Sequence, residues 1–371
     1  MARRLVSETL LNLKPYEAGK PIEEVERELG IKNAVKLASN ENAYGPSPKA
    51  LAAAQQALGK IHLYPDAASH ELRRALSARL GVDPSAIVLG NGSNELLGLF
   101  VRTFVQAFDN VVGSAGSFIA YKIVTRAADR TYREAPLGAD LGFDLDEMAA
   151  LVDDKTRIVF IANPNNPTGT FISADALQRF IDVIDRKAGP EGPALVVLDE
   201  AYLEFVDRAD APDGLAFFRR RPRTIVSRTF SKAYGLAGLR VGYAVMDPEL
   251  ASYINRVREP FNVNLIGQIA ATAALADDAW VAETTAAIRA DRKKLTSALS
   301  ELGLTVTPSQ GNFVLVDVGD AARVHDGLLR RGYIARPQAA SGLPRHLRVT
   351  VGRPEENLGF VRALDDVLRN G

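Results

Sequence analysis

The sequence predicts an α/β protein, with a large domain built on a mainly parallel sheet and a smaller α+β domain after it. From about residue 46 onward, short β-rich runs alternate with helical patterns, which is typical of parallel βαβ units. The runs Val159–Ile161 and Leu195–Leu198 are apolar without alternation, as in strands that helices cover on both faces. The chain has 371 residues, which is too long for one simple core and indicates two domains.

The predicted elements of the large domain begin with two helices. Residues 47–58 and 69–80 are assigned to helices because prolines introduce the first and a glycine directly follows each of them. A short apolar strand at 86–89 then leads into an apolar helix at 93–105, for which Ser93 is the predicted N-cap.

The middle of the chain continues the same alternation. Apolar runs predict strands at 157–162, 194–198 and 224–227. Helical patterns around 173–187 and 247–258 follow the first and the last of these strands. A parallel sheet needs such crossover helices between its strands.

The C-terminal part has a different pattern. A long helix at 278–301, rich in Ala, Arg, Lys and Leu, is followed by strand-like runs at 312–318 and 346–351, with a helix between them and a closing helix near 355–369. The first 30 or so residues carry no strand signal and are expected to pack with this part. The predicted domains are 1–45 as an N-terminal arm that packs with the small domain, 46–265 as the large domain and 266–371 as the small α+β domain.

The composition excludes several classes of protein. Lys and Arg number 45 and Asp and Glu also number 45, so the basic surplus that nucleic acid or anionic membrane requires is missing. Cysteine is absent and the four histidines form no HExxH pair, so we expect no disulfide, no Cys nucleophile and no metal site. No apolar run reaches the roughly 18 residues of a transmembrane helix, and the N-terminus does not read as a secretory signal. The expected compartment is the cytoplasm.

Gly90–Glu95 is a glycine-rich turn between a predicted strand and a predicted helix. It comes close to the GxGxxG pattern of dinucleotide sites, but Glu95 occupies the third glycine position, where it would crowd the strand and repel a pyrophosphate. The backbone N–H groups at the helix N-terminus suit one phosphate monoester instead. A well-capped turn without a ligand is the alternative, and on this segment alone it is favoured.

Polar residues also follow two buried strands. Asn163–Gly169 holds two prolines and three asparagines, at the kind of strand end where open α/β sheets bind ligands. The alternative there is a tight loop of turn-forming residues. Asp199 ends the next strand, where an acid costs desolvation free energy unless it meets a positive partner, and Tyr202 follows three residues later. For Asp199 alone, an N-cap is the favoured alternative.

The segment Ser227–Gly242 places a lysine at a strand end. Lys232 lies among hydroxyl, small and apolar residues, which lower a lysine pKa by removing the hydration of the ammonium and favour Schiff-base chemistry. Ser231 and Arg240 would hold an anion beside it. Taken singly, a Ser-Lys pair is usually on the surface. Together, however, a Schiff-base lysine, a buried acid, a Tyr, an Asn and a phosphate turn are what pyridoxal 5′-phosphate requires.

With these segments in this order, the sequence resembles the fold-type I pyridoxal-phosphate aminotransferases and, among them, the histidinol-phosphate aminotransferases. The resemblance covers nearly the whole chain and implies a large cofactor-binding domain with a mostly parallel seven-stranded sheet. The segments that carry it are Leu37–Asn42, Tyr64–Asp66, Gly90–Glu95, Asn163–Gly169, Asp199–Tyr202, Ser227–Gly242, Gly311–Phe313 and Leu347–Gly352.

The resemblance implies a role for each residue that meets the cofactor ring. Lys232 is the lysine that joins the cofactor aldehyde and later carries the proton at the substrate Cα. Asp199 pairs with the pyridinium nitrogen and keeps it protonated, so that the ring withdraws electrons. Tyr202 and Asn166 hydrogen-bond the ring oxygen, and Phe118 stacks on the ring face. Lys232, Asp199 and Tyr202 are the implied catalytic residues.

The resemblance also implies a phosphate site and a shared interface. Tyr64 reaches the phosphate from the neighbouring subunit, so the expected assembly is a homodimer with shared sites. Within one chain, the residues assigned to the cofactor phosphate are Ser93, Asn94, Ser231 and Arg240, and Thr229 is assigned to the cofactor.

Four residues are assigned to the substrate by the same resemblance. Arg348 binds a carboxylate through its planar fork, and Tyr16 and Arg336 help to hold a substrate phosphate. Asn42 is the fourth residue assigned to the substrate. A packed aromatic is the alternative for Tyr16, and a solvated strand-end charge is about as probable for Arg336.

The implied function is transamination of imidazole acetol phosphate with L-glutamate, which gives L-histidinol phosphate and 2-oxoglutarate in histidine biosynthesis. An aromatic amino-acid (phenylalanine) aminotransferase and a threonine-phosphate decarboxylase are the alternatives with the same cofactor. Ala43 and Gly116 stand where many relatives have proline, which makes the aromatic alternative harder to exclude. A ligand-sensing regulator would need a fused DNA-binding domain, for which the chain has no room, and a nicotinamide dehydrogenase is excluded by Glu95.

Overall fold

The structure is a computed structural model that describes residues 5–15, 19–189 and 192–370. Helices and strands are numbered in chain order. The helices are α1 Glu8–Leu11, α2 Ile22–Leu29, α3 Pro48–Ala57, α4 His70–Leu80, α5 Ser93–Phe104, α6 Ala120–Ala127, α7 Leu145–Leu151, α8 Ala174–Asp185, α9 Gly214–Arg220, α10 Pro248–Val257, α11 Leu265–Leu275, α12 Asp278–Glu301, α13 Ala321–Arg330 and α14 Pro354–Asn370. The strands are β1 Val35–Lys36, β2 Ile87–Asn91, β3 Asn110–Ser114, β4 Thr131–Ala135, β5 Thr156–Ala162, β6 Leu195–Asp199, β7 Thr224–Thr229, β8 Val241–Val245, β9 Thr305–Thr307, β10 Phe313–Asp317, β11 Tyr333–Ile334, β12 Arg336–Gln338 and β13 Leu343–Thr350.

The largest sheet has seven strands in the order β2-β8-β7-β6-β5-β3-β4. Strands β7, β6, β5, β3 and β4 are parallel to one another, whereas β8 runs antiparallel to both β2 and β7. The predicted α/β class and the mostly parallel seven-stranded sheet are therefore confirmed.

Helices cover both faces of this sheet because its central strands are apolar on both sides. Along β5, Ile158 and Phe160 pack in a core with residues of α5, α6 and α10. Val159 and Ile161 pack in a second core, with residues of α7 and α8. All four side chains are fully buried. The strand lacks alternation of apolar and polar residues because helices cover both faces of the sheet.

The C-terminal part contains an antiparallel four-stranded sheet in the order β12-β13-β10-β9. Helices α12, α13 and α14 pack with it in a core that includes Leu295, Val324 and Leu364. The N-terminal segment joins this part, since β1 pairs in parallel with β11. The domain limits 1–45, 46–265 and 266–371 remain a prediction.

The structure differs from the sequence prediction in several elements. Strands β3, β4 and β8 were not predicted, and β4 gives a weak signal because only two of its five residues are buried at the sheet edge. The prediction of Ser93 as an N-cap is wrong. Gly92 holds that position at φ +75°, a conformation that glycine adopts readily, and Ser93 begins the helix. Within the described ranges, no helix combines the length and apolar character that crossing a bilayer requires.

Candidate active site

A cavity of about 270 Å³ lies at the C-terminal ends of β5, β6 and β7. Parallel strands deliver the residues that follow them to one edge of the sheet, which is where ligands of such folds bind. The cavity brings together every predicted cofactor residue except Tyr64. Its lining includes Ser93, Asn94, Phe118, Asn166, Asp199, Tyr202, Thr229, Ser231, Lys232, Arg240 and Arg348.

Lys232 lines this cavity with a half-buried side chain. Its Nζ donates a hydrogen bond to Ser39 O at 2.8 Å and lies 5.8 Å from the centroid of the Tyr202 ring. Burial, and then the nearby charge of Arg348, lowers the pKa of Lys232 to about 7. The amine is therefore substantially neutral at physiological pH, and the neutral amine is the form that attacks a carbonyl carbon.

Asp199 is the last residue of β6 and is 6% exposed. Its Oδ2 accepts a hydrogen bond from Tyr121 Oη at 2.7 Å, and its Oδ1 accepts one from Ala201 N at 3.2 Å. Burial raises the pKa of Asp199 to about 6 although both hydrogen bonds favour the anion. The bond from Ala201 N is a local turn contact, as the capping alternative anticipates. A capping role alone does not explain why the Asp199 carboxyl group lines a cavity.

Tyr202 presents its hydroxyl through a network with the N-terminal segment. Asn40 Nδ2 donates to Tyr202 Oη at 2.9 Å, and Asn40 N donates to Thr350 Oγ1 at 2.9 Å. The Tyr202 ring meets Phe313 edge-on, with 5.1 Å between centroids. The tyrosine is thus held by residues from both ends of the chain.

An anion cradle forms where α5 begins. Ser93 and Asn94 are its first helical residues, so their backbone N–H groups have no partner within the helix. A Cβ on Gly242 would lie 2.3 Å from Ser93 N, so a glycine is needed there for the backbones to approach. On the other side, Arg240 Nη1 donates to Ser231 Oγ at 3.4 Å. N–H groups, a hydroxyl and a guanidinium together suit a phosphate.

Glu95, the residue that departs from the dinucleotide pattern, is used by the turn itself. Its Oε2 accepts hydrogen bonds from Asn91 N at 2.6 Å and from Asn262 Nδ2 at 2.7 Å. The carboxylate therefore fixes the backbone just before the cradle.

The Asn163–Gly169 loop connects the cavity to Arg348. Arg348 Nη1 donates to Asn166 Oδ1, and Nη2 donates to Ala38 O. Its guanidinium also lies 5.6 Å from the centroid of the Phe313 ring. The arginine is 9% exposed, so these contacts hold its fork in one place.

A second cavity of about 450 Å³ adjoins the first and shares Phe118, Asn166 and Arg348 with it. Arg336 also lines the second cavity, and in the β12–β13 pairing it stands directly opposite Arg348. Two guanidinium groups on neighbouring strands give this cavity a positive character.

The remaining predicted site residues lie elsewhere. Tyr64 is 81% exposed and stacks on Phe261 at 4.7 Å between centroids, outside the cavity of its own chain. Asn42 does not line the cavity: its Nδ2 donates to Ala233 O and its Oδ1 accepts from Tyr44 N, so it supports the backbone next to Lys232. Tyr16 lies outside the described residues.

Sequence reasoning missed two contributors, Tyr121 and Asn40. Tyr121 is fully buried, stacks on Phe160 at 4.5 Å between centroids and bonds Asp199. Its spacing of three residues from Phe118 is the one signal that would have placed it on the same side. Among the residues that the structure describes, there is no group of three or more His, Asp or Glu that could hold a metal ion.

A neutralised lysine, a buried acid and an anion cradle at one edge of a parallel sheet define a class of enzyme that works through a bound carbonyl cofactor. The sequence profile described as "Aminotransferase class I and II" matches residues 32–364. The chain belongs to this family.

Individual relatives indicate to which group within the family the chain belongs. Histidinol-phosphate aminotransferase from Anaeromyxobacter sp. (strain Fw109-5) is 50% identical over 98% of this chain and 99% of that protein. Histidinol-phosphate aminotransferase 2 from Methylococcus capsulatus is 50% identical over 96% of each chain. These identities place the chain with the histidinol-phosphate aminotransferases of the family.

Solved structures agree with this placement. The crystal structure of histidinol-phosphate aminotransferase from Sinorhizobium meliloti in complex with pyridoxal-5′-phosphate is 33% identical, with a TM-score of 0.88 over 99% of this chain and 98% of that one. Aspartate aminotransferase from Thermus thermophilus, at 22% identity and a TM-score of 0.84 over 98% of this chain and all of that one, shows the shared fold alone.

Proposed function

We propose that this chain is a pyridoxal-phosphate-dependent histidinol-phosphate aminotransferase. It transfers the amino group of L-glutamate to imidazole acetol phosphate, giving L-histidinol phosphate and 2-oxoglutarate. The observation that carries this proposal is the pair of arginines, Arg336 and Arg348, in a cavity that opens onto the Lys232–Asp199 site.

The residues present fit the cofactor. The cradle of Ser93, Asn94, Ser231 and Arg240 suits its phosphate, and the close approach at Gly242 gives room for nothing larger than glycine beside that cradle. Asp199 is a buried acid whose raised pKa a cationic ring nitrogen would lower again. When bound, pyridoxal phosphate supplies an aldehyde for amines and a protonated ring that takes up the electron pair released at the substrate Cα.

The side chains then divide the work. Lys232 Nζ would be the nucleophile toward the aldehyde and the base that moves the proton at the substrate Cα, and a pKa of about 7 suits both tasks. Asp199 would hold the proton on the ring nitrogen. Tyr202 and Asn166 would donate to the ring oxygen, and Phe118 would exclude water from the ring.

Substrate selection follows from charge. A phosphate ester carries nearly two negative charges, whereas a carboxylate carries one. Arg348 alone, already bonded to Asn166 and Ala38, would balance only one of them. Arg336 supplies the second positive charge on the neighbouring strand. Glutamate would place one carboxylate on Arg348 and depend less on Arg336.

The test is Arg336→Ala, assayed with histidinol phosphate and with glutamate as amino donors. Loss of a charged hydrogen-bond partner is worth roughly 1.5–3 kcal/mol, so kcat/KM for histidinol phosphate should fall about tenfold to a hundredfold. The value for glutamate should change much less, and Arg348→Ala should harm both.

Arg345→Ala is the matched control for this experiment. Arg345 lies on the same strand β13 but is exposed and pairs with Asp317 at 3.0 Å, so its loss should leave both donors unaffected. Equal loss for the two donors in Arg336→Ala, or no loss for histidinol phosphate, would contradict the assignment.

We further propose a homodimer in which Tyr64 completes the site of the partner subunit. Tyr64 is exposed and stacks on Phe261, which is also exposed, and Leu58, Ile61 and Leu63 just before Tyr64 in the chain are exposed as well. Large apolar side chains exposed along one short stretch are typical of a subunit interface. For a biosynthetic enzyme of this type, we propose the cytoplasm as the compartment.

A further inference from the structure

A buried ion pair lies directly behind the cavity. Glu200 follows Asp199, and Arg228 precedes Thr229. Arg228 Nε donates to Glu200 Oε2 at 2.8 Å, and their side chains are 12% and 4% exposed. The pair therefore joins the ends of β6 and β7 at the two positions adjacent to cavity residues.

Two further contacts extend this pair. Tyr243 on β8 stands opposite Arg228 in the strand pairing, and the guanidinium lies close enough to act on its hydroxyl. Gly214 N donates to Glu200 Oε1 at 3.1 Å, and a Cβ on Gly214 would lie 2.3 Å from that oxygen. The carboxylate thus has a defined partner on each oxygen, and the chain of contacts crosses three neighbouring strands.

Each of these strands carries a part of the site. Successive residues of a strand point to opposite faces, so Glu200 and Arg228 lie on the face opposite to Asp199 and Thr229. On β8, Gly242 precedes Tyr243 and packs against the start of α5 at Ser93. The network therefore runs beneath the acid, the lysine segment and the anion cradle together.

Stability alone is a weak reason for such a pair. A buried ion pair loses most of its Coulombic gain to desolvation, and apolar residues of similar size often serve stability equally well. Geometry is a stronger reason, because a displacement of about 1 Å at a catalytic group can cost on the order of a hundredfold in rate.

We propose that Glu200 and Arg228 are positioning residues, which hold the ends of β6 and β7 at the spacing that the acid and the lysine need toward one cofactor ring. The inference rests on the proposed function, since it assumes that Asp199 and Lys232 act on the same bound group.

The test compares two variants that each break one buried ion pair of the same sheet. Glu200→Gln keeps the shape and the oxygen that faces Gly214 but removes the charge beside Arg228. Asp109→Asn likewise removes the charge from a buried ion pair, the one in which Arg157 Nε lies 3.2 Å from Asp109 Oδ2. The side chain of Asp109 is 0% exposed and that of Arg157 is 14% exposed. That pair lies at the opposite ends of the strands, near the starts of β3 and β5.

We expect Glu200→Gln to lower kcat for histidinol phosphate about tenfold or more with little change in KM, because orientation and not substrate contact is lost. We also expect it to shift the pH at which the visible band of the bound cofactor titrates. Asp109→Asn should leave both quantities close to wild type even if it unfolds at a similarly lowered temperature. Lowered stability in both variants with kcat and band titration unchanged in Glu200→Gln would overturn the proposal.

Tyr243→Phe is a second test of the proposal if Glu200→Gln does not fold. It removes one hydroxyl from the network, and the same two quantities should move in the same direction by a smaller amount. Unchanged values in this variant would also overturn the proposal. If wild-type protein binds cofactor but does not use histidinol phosphate, the proposed substrate fails, while the titration of the visible band still tests the network.

Discussion

Asp199 and Lys232 show how one cavity shifts two groups of opposite sign toward their neutral forms. Burial raises the pKa of Asp199 to about 6 and lowers that of Lys232 to about 7, because a charge of either sign loses hydration there. The hydrogen bonds of the two side chains to the protein do not offset this cost. A cofactor that brought a cationic nitrogen to the acid and an aldehyde to the amine would relieve it at both residues.

The acid gives a prediction for the cofactor-free protein. Because the pKa of Asp199 is higher in the folded protein than in the unfolded chain, its contribution to stability is fully present below the unfolded-state pKa. This contribution is lost as the pH rises through about 6. Asp199→Asn removes this loss. The stability of the variant relative to wild type should therefore rise between pH 4 and pH 7, by about 2 kcal/mol for a shift of this size. Urea unfolding of both apoproteins across this range measures it.

Asp317→Asn is the control with the opposite sign. Hydrogen bonds from Gly319 N and Arg345 outweigh burial there and lower the pKa of Asp317. Its replacement should make the variant less stable relative to wild type as pH rises. A stability difference for Asp199→Asn that stays flat between pH 4 and pH 7 would show that burial does not penalise this carboxylate.

At the scale of elements, the site is an assembly of strand ends and one helix start. The cavity draws on the ends of β5, β6 and β7 and on the first turn of α5. Close contact between the turn after β2 and β8 is what brings the helix N–H groups to the cavity, and it depends on a missing Cβ at Gly242.

Gly242→Ala should therefore weaken cofactor binding. The new Cβ would lie 2.3 Å from Ser93 N, so the helix start or the strand must move and the cradle opens. We expect the dissociation constant of pyridoxal phosphate to rise about tenfold or more, the equivalent of losing one charged hydrogen bond. Equilibrium titration of the apoprotein measures it.

Gly238→Ala is the matched control, since no atom lies within 4 Å of a Cβ there and its backbone has no positive φ. It lies four residues before Gly242 in the same segment and should leave the dissociation constant unchanged. Equal affinity in the two variants would mean that the cradle does not hold the phosphate.

The sequence predicted strand ends better than contacts between them. The lysine, the acid and the asparagine loop were found because each follows an apolar run of helix-covered strand. Tyr121 and Asn40 were missed because their partners, Asp199 and Tyr202, are 78 and 162 residues away. Strand β8 was missed because it overlaps the end of the Ser227–Gly242 segment and no α-helix separates it from β7.

We propose that the whole molecule works as a dimer, because Tyr64 is exposed and does not line the cavity of its own chain. Mixing Lys232→Ala with Tyr64→Ala protein tests this. In a hybrid dimer, one site has both Lys232 and Tyr64 and the other site has neither. With random exchange of subunits, half of the dimers are hybrids, and one of the two sites in each hybrid is intact. Activity should therefore return to about a quarter of wild type.

A mixture of Lys232→Ala and Asp199→Asn is the control for the hybrid experiment. Both residues line the cavity of one chain, so each site in the hybrid retains one defect and activity should not return. A fully active monomer in sedimentation, or equal recovery in the two mixtures, would contradict a shared site.

The central claim is that this site aminates and deaminates a phosphate ester through Lys232. The most direct measurement is the single-turnover reaction of the holoenzyme with histidinol phosphate, compared with phenylalanine at equal concentrations and followed by the visible band of the cofactor. With two arginines lining the second cavity, where we propose that the substrate binds, we predict that kcat/KM for histidinol phosphate exceeds that for phenylalanine at least about a hundredfold, the value of one or two charged hydrogen bonds. A phenylalanine reaction as fast as that of histidinol phosphate would contradict the claim and would favour an aromatic amino-acid aminotransferase.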